Sequence, residues 1–208
     1  MNLAILGATG RVGRHLTREA LHNGHNLVAV MRNSSALHLK HSHLSVVEGD
    51  VRNPEIVDRA IEHADVVLCA LGDRNLHGKI TLLSDAMTVL LPEMKAKGIN
   101  RIIVVAGAGI LQHDPEILRR DAPGYPPFLL SVSEDHLRVF HLLEKSELDW
   151  TLVCPPQILD GKASDHYEVK ADYFPGSSGR IFAGDIAAFI LNEMIHNLFL
   201  RKRVGIAN

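Results

Sequence analysis

The clearest chemistry in the chain lies near its start, in Gly7-Ala-Thr-Gly10-Arg-Val-Gly13. A short apolar run precedes this motif and a helix-like stretch follows it, which is the setting in which such glycine spacing serves a phosphate. Gly7 permits a tight turn, Gly10 lets backbone approach a pyrophosphate, and Gly13 lets helix and strand pack closely. The helix start then offers free N–H groups and a partial positive charge to the phosphates. Thr9, Arg11 and Val12 fill the positions between the glycines. The motif predicts a dinucleotide site; the bland alternative is a strand-to-helix turn that happens to be glycine-rich.

The next candidate selects between dinucleotides. A site that prefers NAD places Asp or Glu at the end of its second strand to hold the ribose 2′-OH. Here Met31-Arg32-Asn33-Ser34-Ser35 occupies that place. Arg32 can form a forked contact with a 2′-phosphate, and Ser34 or Ser35 can add hydroxyl donors. NADP(H) is therefore expected over NAD(H), against the plain reading of Arg32 as a surface residue. Gly49-Asp50-Val51 closes the third strand, and Asp50 is placed to accept from an adenine amino group or simply to shape a turn before a helix. Leu71-Gly72 closes the fourth strand, where backbone must pass near the cofactor ribose. Arg74 could face phosphate or substrate, or solvent.

Other reactive residues carry less. The chain has 13 His, and His38, His41 and His43 form an H-x-x-H-x-H run. A metal site needs a further ligand on a fixed scaffold, so exposed loop histidines are the expectation and no metal is predicted. His136 and His141 are five apart and do not share a helix face. Cys69 and Cys154 sit inside apolar runs, which reads as buried free thiols in a reducing compartment. Neither has a basic neighbour or helix start beside it, and no Gly-x-Ser-x-Gly elbow occurs.

These residues need elements to position them. Apolar runs at 3–6, 27–31, 44–49, 65–71, 101–106 and 150–154 alternate with amphipathic stretches at about 11–23, from Asn53-Pro54 onward, at about 78–97 and at about 133–145. Pro92 is expected to kink or interrupt the third of these. Strands that read as unbroken apolar runs, each followed by a helix, mean a parallel sheet covered on both faces. The fold predicted is α/β, Rossmann-like and doubly wound, with a mainly parallel sheet and a small C-terminal substrate lobe. One domain spans 1–208: residues 1–155 form the dinucleotide-binding core and 156–208 a substrate-pocket segment. That segment holds two short strand-like pieces (167–170 and 180–183), a helix from Asp185 to about Asn197 and a last strand near 203–206.

Bulk properties agree with a single globular unit. The chain has 208 residues, 46% of them hydrophobic. Lys+Arg number 22 against 24 Asp+Glu, so the basic excess of a nucleic-acid binder is missing. No apolar run approaches the ~20 residues of a membrane helix. Met1-Asn2 leads straight into Leu3-Ala-Ile-Leu6, so no secretory leader is expected and the location expected is cytoplasmic. The partner expected is a small-molecule acceptor; nothing bears on oligomeric state.

The stretches GATGRVG, VMRNSS, EGDV and CALGDRN resemble the atypical short-chain dehydrogenase/reductase group, especially its NmrA-like and flavin reductase/biliverdin reductase B branches. The similarity continues through SEDHLRVFHLLEKSELDWTLVCPPQI and GDIAAFIL. The resemblance implies that Gly7, Thr9, Gly10, Val12, Arg32, Ser35, Asp50, Val51, Leu71, Gly72 and Arg74 line an NADP site. Departures also show. Short-chain dehydrogenases use Tyr-x-x-x-Lys; counting back from Trp150, the Lys position falls on His136 and the Tyr position on Val132. The serine that flavin reductase B carries after its fifth strand falls on or near Gly107, and its histidine after Pro-Pro becomes Gln157.

A carbonyl substrate develops an alkoxide and needs a positioned acid, which the missing Tyr withholds. A flavin- or quinone-like acceptor delocalises the incoming charge and can take its proton from water. The expectation is therefore an NADPH-dependent reductase of a flat conjugated acceptor, with the glycines of Ala106-Gly-Ala-Gly109 admitting a flat ring. His136, taken with a pKa near neutrality, is the catalytic candidate or a cofactor-orienting residue. The long loop from about 107 to 131 reads as a substrate lid, and Tyr125, Tyr167 or Tyr173 could stack on a substrate. Two rivals stand beside this reading: a non-catalytic NADP(H)-sensing regulator of NmrA-like type, and a sugar-nucleotide epimerase or dehydratase.

Overall fold

The computed structural model describes every residue except 38, 74–77 and 177. Eight strands form one sheet in the order β3-β2-β1-β4-β5-β6-β10-β8. They are β1 (Asn2–Leu6), β2 (Asn26–Met31), β3 (Leu44–Glu48), β4 (Val66–Cys69), β5 (Arg101–Val105), β6 (Asp149–Cys154), β8 (Glu168–Ala171) and β10 (Lys202–Ala207). All neighbours pair in parallel except β8, which runs antiparallel to β10. β7 (Gln157–Leu159) and β9 (Arg180–Phe182) form a separate parallel pair. The order of the first six strands is that of a doubly wound nucleotide-binding sheet, and its direction reverses between β1 and β4.

Helices cover both faces, as the unbroken apolar strands require. α1 (Arg11–His22) and α5 (Ala183–His196) pack together on one face. α2 (Pro54–Ile61), α3 (Leu82–Ala96) and α4 (Leu130–Glu144) cover the other. Their ends follow local chemistry. Asn53 caps α2 by accepting from the Glu55 N–H at 3.0 Å, with Pro54 in the first turn. Gly24 takes φ +76 just beyond α1, the left-handed stop that glycine supplies.

Two expectations change. α3 begins at Leu82 rather than 78, and it runs through Pro92 without a break. Pro92 costs its own N–H and strands the carbonyl of Thr88, but both residues lie on the exposed face of the helix. The C-terminal segment is woven into the body: β10 and β8 extend the main sheet and α5 covers its face, while β7 and β9 lie outside it. The 107–131 connection contains three short 3-10 turns, and Gln112 bridges to both Leu118 and Tyr173. Away from the strand C-termini, a buried Arg101–Glu193 pair at 3.0 Å, shared with Thr151, ties β5, β6 and α5 together.

Candidate functional site: a dinucleotide groove and the residues past the fifth strand

The glycine turn has the geometry its spacing predicts. Gly7 sits at φ +85, and a Cβ there would lie 2.6 Å from the Ala70 carbonyl oxygen. A Cβ on Gly13 would collide with the Gly7 carbonyl, so backbone meets backbone where α1 starts. Gly10 caps α1 in an extended conformation with no side chain on its free N–H groups, and the first turn holds no acidic residue. An uncapped, acid-free helix start of this kind is what a pyrophosphate requires. The cradle therefore fits a dinucleotide, on the evidence of the space that side chains would otherwise fill.

A groove of about 580 Å³ opens beside this turn, at the point where strand order reverses. Its walls include Gly7, Thr9, Gly10, Arg32, Asp50, Val51, Leu71 and Gly72, all expected from sequence. Arg52 and Lys79 also line it and were not anticipated; the signal available was a basic residue in the Gly49–Asn53 turn. Arg11 and Val12 are not in the wall: Arg11 donates to the Ile158 carbonyl of β7, and Val12 is a buried residue of α1. Ser35 is likewise outside the wall, its hydroxyl donating to Asn33 Oδ1 at 2.7 Å. Arg74 lies outside the described residues.

Asp50 differs most from its expected use. Its carboxylate accepts from the Arg52 backbone N–H at 2.9 Å, from Nε at 3.0 and 3.2 Å and from Nη2 at 2.5 Å. Those donors leave little room for an adenine amino group. Arg52 is the main reason the Asp50 carboxyl is held down to about 2, with Arg32 adding to the effect. A carboxylate also reaches the end of β2 from the next strand: Glu48 of β3 accepts from the Ser34 N–H at 2.9 Å.

The other end of the site lies past β5. His136 on α4 packs its imidazole over Gly107, where a Cβ would stand 3.1 Å from Nδ1. Burial lowers the His136 pKa to about 4, against a smaller opposing pull from Asp135. The ring is therefore neutral at pH 7 and is a poor proton source there, in contrast to the near-neutral value expected. Tyr125 Oη and Ser133 Oγ are 2.5 Å apart, and both would be struck by a Cβ on Gly109. Gly107 and Gly109 thus lie against the protein's own polar side chains. Of the three tyrosines, this brings Tyr125 to the end of β5, whereas Tyr167 packs on Phe189 and Tyr173 lies under Lys170.

Asp135 links the two ends. Its buried carboxylate accepts from the N–H groups of Leu83 and Ser84 at 3.0 and 3.1 Å, capping α3 next to groove residues Thr81 and Leu82. Nothing in the SEDH run distinguishes this aspartate in sequence. Cys69 and Cys154 are free and buried, and burial pushes the Cys69 thiol up to about 12. His41 and His43 touch edge to face, His38 lies outside the described residues, and among the described residues no three His, Cys, Asp or Glu are grouped so as to hold a metal ion. No helix among the described residues is long and apolar enough to cross a membrane.

The fold and glycine cradle define a Rossmann-fold nucleotide-binding protein. A family model described as NAD(P)H-binding matches residues 7–197, and the chain belongs to that family. It is 29% identical over 205 residues to the uncharacterised protein YwnB of Bacillus subtilis, covering 94% of this chain and 93% of YwnB. In structure it resembles a Streptococcus pneumoniae protein named "putative NADH-flavin reductase" (TM-score 0.85, 23% identity, 100% of this chain and 99% of that one). It also resembles a short-chain dehydrogenase/reductase of Veillonella parvula solved in complex with NADP (TM-score 0.78, 19% identity, 100% and 94%).

Proposed function

We propose that this protein is an NADPH-dependent reductase whose acceptor is a small, flat, conjugated molecule of flavin, biliverdin or quinone type. The observation that carries the reading is at the acceptor end. Val132 and His136 stand at the Tyr and Lys positions of short-chain dehydrogenases, and His136 is neutral at pH 7. With neither Tyr nor Lys at those two positions, the acceptor favoured is one that spreads incoming charge over a conjugated system. The flavin-reductase name of the S. pneumoniae neighbour supports this class of acceptor.

The glycine turn and the open start of α1 hold the pyrophosphate, Leu71 and Gly72 border the ribose, and Arg32 faces the 2′-phosphate. A bound reduced dinucleotide supplies the hydride. His136 offers one ring donor and one acceptor for orientation. The buried free thiols agree with a cytoplasmic location.

Purified protein is mixed with NADPH and a panel of FMN, FAD, biliverdin and quinones while nicotinamide absorbance is followed. Turnover above the free-solution rate is expected with at least one acceptor; tight NADPH binding without turnover on any would sink the enzyme reading. Arg32→Glu should weaken NADPH far more than NADH, and equal loss would show the 2′-phosphate assignment to be wrong. A second reading, an NADP(H)-sensing regulator, is favoured by one feature: the groove wall includes neither Gly107, Gly109, Tyr125 nor His136. Cofactor redox state would then shift a conformational equilibrium and alter partner binding.

A further inference from the structure

The geometry points to Arg52 as a second guanidinium in the 2′-phosphate pocket, aimed by Asp50; this rests on the NADP(H) reading above. Arg32 and Arg52 reach the same groove from different strands, one from the end of β2 and the other from the turn after β3. Among the described residues Arg32 makes no ion pair, while Arg52 is gripped by Asp50 along its Nε/Nη2 edge.

That grip uses two of the five N–H groups of a guanidinium, so the Nη1 side stays free to donate to a ligand. Side-chain exposure is 53% for Arg52 and 38% for Asp50. Pairs this exposed add little to stability, so what the contact supplies is direction. Asp50 in turn feels both guanidiniums, Arg52 more strongly than Arg32. The trio carries a net positive charge, and with Lys79 and Asp73 of the same wall the cations still outnumber the carboxylates by three to two. A phosphomonoester, at about −1.5 to −2 near neutral pH, answers that charge, and a bare 2′-hydroxyl does not. Arg52 is thus a specificity-determining residue, and Asp50 positions it in place of reading the adenine.

The test uses ligands that undergo no hydride chemistry. Binding of 2′,5′-ADP and of 5′-AMP is measured by calorimetry for wild type, Arg52→Ala, Arg52→Lys and Arg32→Ala, with melting temperatures confirming that each variant folds. Wild type should prefer 2′,5′-ADP. Arg52→Ala should weaken 2′,5′-ADP by roughly tenfold or more, as loss of a charge-assisted contact does, and leave 5′-AMP nearly unchanged. Arg52→Lys should recover only part, since it lacks the fork, and the loss should shrink at high salt. If Arg32→Ala removes the preference and Arg52→Ala leaves it whole, the proposal falls while the NADP(H) reading stands. Equal weakening of both ligands by Arg52→Ala also overturns it, assigning Arg52 to the adenosine. If wild type shows no preference, the NADP(H) reading itself fails and the proposal with it.

Discussion

The dinucleotide groove and the region past β5 are built on opposite plans. Around Gly7–Gly13 the backbone does the shaping, the groove is open, and its charged side chains stand in water. Around Gly107–Gly109 the chain packs against itself, and His136, Ser133 and Tyr125 fill the space that glycine leaves. Both ends spend glycines on close approach, but the first brings backbone toward backbone and the second admits side chains from α4 and the loop before it. An end made for phosphate can stay constant while the acceptor end changes, because backbone N–H groups ask nothing of side-chain identity.

The comparison can be broken at either end. The largest effect is expected from Gly13→Val. With the Gly7 carbonyl in the way, the helix start must move, and dinucleotide binding should be lost with a drop in melting temperature. Retained binding would mean that the cradle is looser than drawn. Gly109→Ala should cost stability on the order of 1–3 kcal/mol through overpacking. The same substitution should cost distinctly less in a Tyr125→Phe/Ser133→Ala background, measured by denaturant titration. If the background makes no difference, Gly109 does not serve those two hydroxyls. Gly107→Ala should be milder, since its nearest contact is a ring atom at 3.1 Å.

A smaller effect tests the neutral histidine. The His136 pKa is about 4 in the folded chain against 6.5 ordinarily. Below pH 6.5 the unfolded chain takes a proton that the native ring refuses, so stability falls as pH drops from about 6.5 to about 4, by up to about 1.4 kcal/mol per pH unit. Stability curves of His136→Asn should be flatter than wild type across that window. Parallel curves would mean that the ring is as free to protonate as an exposed one.

Much of the adenosine end could be read from sequence because it is local. The glycine motif, the strand before it and the helix after it lie within Asn2–His22, and six of the eight sheet strands stand out as apolar runs. The C-terminal strands were located as well, but their pairing was not. β10 lies beside β6 and β8 runs against β10, and neither the buried run of β10 nor the exposed residues of β8 carry a mark of their neighbours. Asp50 and Arg52 stand two apart in the sequence, yet the turn that folds one onto the other is a matter of backbone angles.

The sequence by itself determined the fold class, the place of the phosphate turn and the cation at the end of β2. These depend on period, spacing and residue type within one strand–helix unit, where local chemistry outweighs context. Only the tertiary structure decided which side chains meet beyond β5. Tyr125 and Ser133 come to Gly109 and His136 to Gly107 across long stretches of chain, and Asp135 reaches α3 from 52 residues away. Such contacts follow from how α4 docks on the sheet, and docking is settled by the shape of the whole core.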